Sequence, residues 1–464
     1  MSKVVHMEKG PIGKTLLLFA LPVLISQVLQ ELYNITDCAI VGHFAGGLSL
    51  AATGIAGLLL SVFINFFIGF SSGVSVVTGR LFGKYDYPGL KKTINSVMRL
   101  TILTGIIVTV LTSALTGLLL KALNCPEEVV APASLYLHIC AFGLSAQLIY
   151  NVGAAILRSL GDTRAPLMCF FFSCITNLTL DILFVIVLKM GIAGAATATL
   201  ISQWLLAVMI FVRLKGLGEE CSLELRGEHL SLKELLDILR TGIPAGLQAL
   251  FMSISSLLLQ TCINSFGPAA VAGMTCYAKL EGLVYFPAFS YGIALTGFVG
   301  QNYGAGRMDR IQEAVRISNR LMWAVIMPLS LIVAFASPVL LRVFTNDPDI
   351  IFNAHEALIW NMPPYVIYAM NQVYLGAIKG KGRTFYPMIC TLICYSIFRV
   401  LWCNALIPVF NTMIVVYLSY DVSFFLMLFM LLPVYRSEFF MRQGDGAFVS
   451  LCRKQQRKLS DIIT

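Results

Sequence analysis

The segment Arg158-Ser-Leu-Gly161-Asp-Thr163-Arg-Ala-Pro166 decides the fold, because it recurs about 220 positions later as Lys379-Gly-Lys-Gly382-Arg-Thr384-Phe-Tyr-Pro387. A cation, a glycine, a threonine and a proline hold the same spacing in both copies. Further matches link Leu21-Pro22, Gly79 and Gly83 in the first copy to Ile243-Pro244, Gly300 and Gly304 in the second. The chain therefore contains one structural unit twice, and features that only one copy carries are candidates for function.

The composition is that of a membrane protein. Hydrophobic residues make up 58% of the 464 positions, charged residues make up 12%, and the mean hydropathy is +0.81. A soluble domain of this composition would lack a water-facing surface, so we expect the chain to cross the membrane many times. The first apolar stretch, 15–40, is too long for a cleavable signal peptide and is expected to remain as a transmembrane helix.

Twelve stretches are apolar and long enough to span the membrane, since about 20 helical residues cross ~30 Å of hydrocarbon. They lie at about 15–41, 50–79, 97–120, 131–157, 167–188, 191–212, 241–266, 270–299, 319–341, 352–378, 385–408 and 411–434. Six spans per copy is an even number, so a pseudo-twofold axis along the membrane normal relates the copies. The sequence predicts an all-α polytopic membrane protein with two six-helix lobes, 1–212 and 241–435, a cytoplasmic linker, 213–240, and a cytoplasmic tail, 436–464. An amphipathic helix is expected from Ser231 within that linker.

The formal net charge of +9 resides mainly in short loops and in the tail. Basic loops follow the second, fourth, eighth and tenth spans, so these loops and both termini are expected to face the cytoplasm. The tail residues Arg453, Lys454, Arg457 and Lys458 are expected to contact anionic lipid headgroups. This distribution favours membrane lipids over nucleic acid as partners. The twelve cysteines lack the spacing of a disulfide framework or metal site, and we interpret them as small hydrophobic residues.

A polar stripe runs along the first span. At 100° per residue, Gln27, Glu31, Asn34 and Asp37 fall within one arc of about 120°. Such a stripe cannot face lipid without a large desolvation cost, so it is expected to face protein or a water-filled cavity. Pro22 interrupts the helical hydrogen bonds near the inner end and is the expected bending point.

More polar residues are predicted near Asp37. Asn177 and Asp181 are four residues apart and share a face of the fifth span. Helical rise places Thr199 of the sixth span and Tyr136 of the fourth at a similar depth, in the outer half of the first lobe. The equivalents of Asn177 and Asp181 in the second copy are Phe398 and Trp402.

Acids confined to one copy favour ion coupling over a purely structural role. Desolvation favours a neutral, protonated carboxyl group and a bound cation favours the ionised one, so Asp37 and Asp181 can serve H⁺ exchange or Na⁺ binding. Oxygens from Asp37, Asn177, Asp181 and Thr199 suit a hard cation such as Na⁺. The alternative is a satisfied structural hydrogen-bond network.

Charged residues also lie within the spans of the second copy. Lys279 and Glu281 are in the eighth span and Arg399 is in the eleventh. We consider two roles for Glu281: an ion pair with Arg399 or Lys279, and direct contact with a substrate. Met252 and Tyr285 are further candidates for the lining of a substrate cavity.

The chain resembles the multidrug and toxic compound extrusion (MATE) family, in particular its bacterial DinF-like branch. The resemblance covers nearly the whole chain. It is carried by Leu32-Tyr33-Asn34-Ile-Thr-Asp37, Val41-Gly42, Gly79 and Gly83, Arg158-Ser-Leu-Gly161-Asp-Thr163, Asn177-Leu-Thr-Leu-Asp181, Gly191-Ile-Ala-Gly194-Ala-Ala-Thr-Ala-Thr199 and Gly300-Gln301-Asn302-Tyr303-Gly304.

The resemblance implies a secondary antiporter of the bacterial inner membrane that exports organic, often cationic and aromatic, compounds in exchange for H⁺ or Na⁺. It implies no cofactor, and we expect a monomer. Residues matching Asp37, Asn177, Asp181 and Thr199 form the cation site of such proteins, with the match of Tyr136 beside it and a helix bend at the match of Pro22. Unlike the NorM-like branch, the chain has no carboxylate in 248–252 or 368–371. Glu31 stands where the DinF-like pattern more often has an amide.

Three other functions are weighed. A lipid-linked oligosaccharide flippase of the same superfamily is the main alternative, although flippases of that kind resemble proteins with fourteen spans and several cavity arginines. An enzyme is disfavoured because catalytic motifs and metal-spaced histidines are absent from the sequence. A channel is disfavoured because duplicated halves with acids in only one of them suit alternating access.

Overall fold

A computed structural model describes residues 6–122, 125–218, 221–224 and 232–439. Its helices are α1 (Ile12–Ile40), α2 (Gly47–Gly83), α3 (Tyr87–Ala122), α4 (Glu127–Ser159), α5 (Arg164–Asp181), α6 (Gly191–Lys215), α7 (Leu232–Asn264), α8 (Pro268–Gly304), α9 (Met308–Leu340), α10 (Pro348–Asn361), α11 (Tyr365–Gly380), α12 (Phe385–Thr391), α13 (Phe398–Phe410) and α14 (Ile414–Phe439). π-helical turns at Val41–Ala45, Ile182–Val187 and Leu392–Ile397 extend α1, extend α5 and join α12 to α13.

The prediction of an all-α protein with twelve spans is confirmed. Within the described residues, eleven helices are long and apolar enough to cross a membrane. The tenth span consists of α10 and α11, which Pro363 and Pro364 separate because proline interrupts helical hydrogen bonding. The helix expected from Ser231 is the start of α7, which begins at Leu232 and runs on as the seventh span. The basic tail residues, and Glu219, Glu220 and Glu228 of the linker, lie outside the described residues.

The two lobes exchange the inner ends of their first helices. Leu16 and Phe19 of α1 are buried in the apolar core of the second lobe, and Ile238 of α7 is buried in the core of the first. The outer part of each helix returns to its own lobe: Val41 packs beside α5 and α6, and Leu259 packs in the second core. The exchange places Pro22 and its repeat equivalent Pro244 where each helix passes between lobes.

The lobes pack tightly against each other at the ends that carry the basic loops. A Cβ atom added to Gly83 of α2 would lie 2.0 Å from the carbonyl oxygen of Gln301, and one added to Gly304 of α8 would lie 2.1 Å from that of Arg80. These two contacts are exchanged by the repeat, because Gly83 corresponds to Gly304 and Arg80 to Gln301. The pseudo-twofold axis therefore passes between the ends of α2 and α8, where only glycine permits such close backbone approach.

The opposite ends of the lobes are apart. A Cβ added to Gly47, Gly54 or Gly57, in the other half of α2, would meet no described atom within 4 Å. Asn34 of α1 and Lys279 of α8 are exposed in this half although both lie within spans. We interpret this as a cleft between the lobes that is closed at the basic end and wider at the other, where Lys279 of α8 bridges it to Glu31 of α1.

A short N-terminal strap, residues 6–10, crosses the closed end. The backbone N–H of Met7 donates to Gln301 Oε1 at 2.8 Å, and Arg310 donates to the carbonyl oxygen of Gly10 at 2.9 Å. On the first lobe, the Tyr85 hydroxyl donates to Glu8 Oε1 at 2.6 Å, and this hydrogen bond raises the pKa of Tyr85 to about 12. The strap thus binds both lobes and adds to the closure.

Candidate functional site

Polar residues from four helices of the first lobe lie together near its outer end. α1 contributes Asp37, α5 contributes Asn177 and Asp181, α6 contributes Thr199 and α4 contributes Tyr136. Asn177 and Asp181 are 2% and 1% exposed, and Asp37 is partly buried. Helical rise places both carboxylates about 10 Å from the outer ends of their helices.

π-helical turns follow both carboxylates. α5 ends at Asp181 and continues as the wider turn Ile182–Val187, while Val41–Ala45 follows Asp37 after one helical turn. Such turns are rare and occur frequently at functional sites, because they redirect side chains and loosen the helical hydrogen bonds. The two turns contact each other, so they set the spacing of α1 and α5 beyond the acids.

Tyr33 is a member of the site that the sequence did not single out. It lies one helical turn before Asp37 on the same face of α1, and its phenol interacts with Asp37, Asp181 and Thr199. The signal was present, since a four-residue spacing from Asp37 places both side chains together. In the sequence, Tyr33 is noted only as part of the motif Leu32-Tyr33-Asn34-Ile-Thr-Asp37.

Three polar atoms at this site are buried without a hydrogen-bond partner: Asp37 Oδ1, Asn177 Nδ2 and Asp181 Oδ1. Buried polar groups in proteins are nearly always paired, and unpaired carboxylate oxygens are the costliest exceptions. Unpaired carboxylate oxygens are positions at which a proton or a cation can bind.

Pro22 and the remaining stripe residues lie on the cleft side of the site. Pro22 is buried within α1, where it cannot donate to the carbonyl oxygen four residues earlier, and the Ser26 hydroxyl donates to the Pro22 carbonyl oxygen at 2.9 Å. Gln27 is half-buried and Asn34 is exposed. Glu31 contacts the other lobe: Lys279 Nζ lies 2.5 Å from Glu31 Oε1, and both side chains are partly exposed.

The ion pair considered for Glu281 does not form at contact distance. Lys279 instead reaches across the cleft to Glu31, and Glu281 accepts a hydrogen bond from the Tyr365 hydroxyl at 3.1 Å. Arg399 Nε donates to Ser423 Oγ at 2.8 Å, and its guanidinium lies 4.2 Å from the centre of the Tyr420 ring. Aromatic packing and a hydroxyl acceptor hold this cation in place of a direct contact with Glu281.

The other two cavity candidates lie in packed surroundings. Tyr285 stacks on Phe289 and Tyr368, with ring centres 5.5 Å and 5.7 Å apart. Met252 is half-buried against the core of the second lobe. They belong to the wall of that lobe more than to an open surface of the cleft.

Beside Glu281, the second lobe contains a buried acid that the sequence analysis did not single out, Asp421. This residue of α14 is 7% exposed, its Oδ1 atom has no hydrogen-bond partner, and it lies in the field of Arg399. A single aspartate in the apolar stretch 411–434 was the available signal. Asp421 does not align with Asp37 or Asp181, so a comparison that starts from those two acids does not reach it.

Comparisons with known proteins agree with this architecture. The MatE family model matches residues 22–183 and 244–403, one block in each copy of the repeat. The chain is 27% identical over 402 residues to "Probable multidrug resistance protein YpnP" of Bacillus subtilis, covering 86% of this chain and 89% of that protein. It is 28% identical over 397 residues to "Probable multidrug resistance protein NorM" of Thermotoga maritima, covering 83% and 84%.

A solved structure has the same fold. It is described as "Outward-facing conformation of a multidrug resistance MATE family transporter of the MOP superfamily" and matches with a TM-score of 0.85 at 23% identity, covering 95% of this chain and 98% of that one. The family match in both halves and the shared twelve-helix fold lead to one conclusion: the chain belongs to the MatE family and is a membrane transporter, not an enzyme.

Proposed function

We propose that this protein is a secondary antiporter that exports organic compounds, cationic or aromatic in character, in exchange for H⁺ or Na⁺. The observation that carries the proposal is the set of three unpaired polar atoms at Asp37, Asn177 and Asp181, beside the Thr199 hydroxyl. They provide a place for one cation or proton inside a lobe, and the names of the relatives point to multidrug export.

The positive-inside rule supports an orientation for the cleft. Arg80, Arg310 and Lys381 lie at the closed end, so that end and the termini are assigned to the cytoplasm. The wider end then faces outside. In this orientation the cleft releases substrate outward, and Asp37 and Asp181 lie within reach of external cations.

The exchanged helix ends suggest how cation binding alters the lobes. α1 packs into the second lobe with Leu16 and Phe19 and carries Asp37 in the first lobe. A proton or Na⁺ at Asp37 removes the repulsion between two carboxylates and permits α1 to shift, with Pro22 as the bend. The cation must bind the two facing states with different affinities, since equal binding shifts no equilibrium.

Efflux of a cationic dye from proteoliposomes tests the proposal, under an imposed pH gradient and separately under an imposed Na⁺ gradient. We expect one gradient to drive efflux in the parent protein, and Asp37→Asn to reduce that efflux to the rate of protein-free vesicles. Asp309→Asn is the matched control, because Asp309 is exposed and pairs only with Arg307 two residues away. If neither gradient drives efflux in the parent, the antiporter proposal fails and the lipid-flippase alternative takes its place.

A further inference from the structure

We propose that the second lobe contains its own proton-coupling site, formed by Asp421 and Glu281 around Arg399. The inference rests on the proposed antiport function and extends it. The site would load one proton for each transport cycle in addition to the cation at Asp37.

Arg399 is held as the fixed positive charge of this site. It is 9% exposed, and its guanidinium lies 4.2 Å, 4.7 Å and 5.5 Å from the ring centres of Tyr420, Tyr395 and Phe424. Its Nε atom donates to Ser423 Oγ at 2.8 Å. Three aromatic faces and one hydroxyl acceptor fix the cation without neutralising it.

Two carboxyl groups act on this guanidinium from different helices. Glu281 of α8 is half-buried, and the Tyr365 hydroxyl donates to its Oε1 atom at 3.1 Å. Asp421 of α14 is more deeply buried, and its Oδ1 atom has no partner. Tyr365, the partner of Glu281, packs on Phe424 with ring centres 5.8 Å apart, and Phe424 and Tyr420, the neighbour of Asp421, both contact the guanidinium. Both carboxyl groups also interact electrostatically with Arg399.

The charge balance leaves room for one proton. Two ionised carboxylates and one guanidinium have a net charge of −1 in an apolar lobe, and protonation of either acid makes the site neutral. The proton belongs to the pair of acids, because they share one counter-charge. Asp421 is the more deeply buried member of the pair, and Glu281 is the more exposed one.

The other charged groups around Asp421 are few. Among the helices that pack on α14, the next carboxylate is Glu356 of α10, which interacts with Tyr417 one turn away from Asp421. The remaining titratable neighbours are tyrosines and cysteines, whose ordinary ionisation lies above neutral pH. Around Glu281 and Arg399 they are Tyr277, Tyr285, Tyr365, Tyr368, Tyr395, Tyr420, Cys394 and Cys403, and Tyr417 lies beside Glu356.

The chemistry of the site favours H⁺ over Na⁺. A sodium ion would require several oxygen ligands and would have to share the pocket with a guanidinium of the same charge. A proton requires only one carboxylate oxygen. The first-lobe site differs in this respect, since its carboxylates are accompanied by an amide, a hydroxyl and a phenol.

Zero-flux measurements in proteoliposomes test the proposal. At zero membrane potential, the logarithm of the substrate ratio that stops net transport is plotted against the pH gradient. The slope equals the number of protons exchanged for each substrate molecule, because each pH unit contributes about 1.4 kcal/mol per proton. We expect the slope to fall by about one, relative to the parent, in Asp421→Asn and in Glu281→Gln. This fall is expected whichever ion the first lobe uses.

Controls separate this outcome from general damage. Glu356→Gln should keep the parental slope, since Glu356 lies near α14 but outside the cluster. Glu281→Gln preserves the test if Asp421→Asn does not fold. A parental slope in both single variants would overturn the proposal and leave the antiport function intact. A parent protein that responds to neither gradient would overturn both.

Discussion

The two lobes share a scaffold but differ in the charge of their buried polar sites. The first lobe brings Asp37 and Asp181 together with neutral oxygen and nitrogen groups, while the second arranges Glu281 and Asp421 around Arg399. The scaffold itself is nearly symmetric, as the exchanged contacts of Gly83 and Gly304 show. Duplication has therefore preserved the packing that closes the end with the basic loops, and the charge at the two sites has diverged.

The difference teaches what each site can bind. A carboxylate pair without an adjacent cation can accept H⁺ or Na⁺, because its neutral neighbours supply further ligands. A carboxylate pair with a caged guanidinium suits a proton. Symmetry of backbone packing and asymmetry of charge are thus separate properties, and each can be tested on its own.

The largest effect is expected from breaking the symmetric scaffold with Gly83→Val. Its Cβ would lie 2.0 Å from the carbonyl oxygen of Gln301, so the lobes could not close at the end with the basic loops. Transport should be abolished, and cysteine-specific labels should reach the cleft from the cytoplasmic side. Gly304→Val should reproduce the defect, because its Cβ would lie 2.1 Å from the carbonyl oxygen of Arg80. Gly54→Val should behave as the parent, because a Cβ at Gly54 has no described atom within 4 Å. Normal closure in Gly83→Val or in Gly304→Val would contradict the close contacts of these two glycines with Gln301 and Arg80.

Next in size is the effect of Arg399→Gln, which removes the feature that distinguishes the second lobe. Removal of one partner from a buried charge cluster typically costs about 3–5 kcal/mol, because the remaining carboxylates lose their counter-charge. We expect a loss of about 3 kcal/mol in thermal or chemical unfolding of the purified protein. Adding Asp421→Asn should recover much of that loss. Additive losses in the double variant would show that Arg399 stabilises the lobe only through its aromatic contacts.

A smaller and more selective effect is expected from Thr199→Val, which removes one neutral ligand from the first-lobe site. If the first lobe exchanges Na⁺, the concentration of Na⁺ for half-maximal efflux should rise about 10–100-fold, by analogy with other losses around metal sites. If it exchanges H⁺, the pH dependence should hardly change. Thr197→Val is the matched control on α6, because the Thr197 hydroxyl donates within its own helix to Ala193 at 2.7 Å. Equal effects of both variants would argue against a ligand role for Thr199.

Sequence patterns predicted the symmetric part of this molecule better than the asymmetric part. Hydropathy and the repeat predicted twelve spans and two lobes, because span length and duplication depend on local composition. They did not predict the exchange of the inner ends of α1 and α7, since which lobe Leu16 or Ile238 packs into is decided by tertiary contacts. Asp421 and the Glu31–Lys279 pair were missed for the same reason, as their partners lie on distant helices.

The smallest effect is expected from the one described ion pair that joins the lobes, Glu31 with Lys279. Both side chains are partly exposed, at 36% and 40%, so solvent screening limits the value of the pair to about 1 kcal/mol or less. Glu31→Gln should therefore change the affinity for a cationic dye by no more than about fivefold, with gradient-driven efflux of a neutral compound unchanged. The exchanged double variant, Glu31→Lys with Lys279→Glu, should restore the parental affinity. A loss well above tenfold in Glu31→Gln, without recovery in the exchanged variant, would show that Glu31 binds the substrate itself and that the asymmetry of charge extends into the cleft.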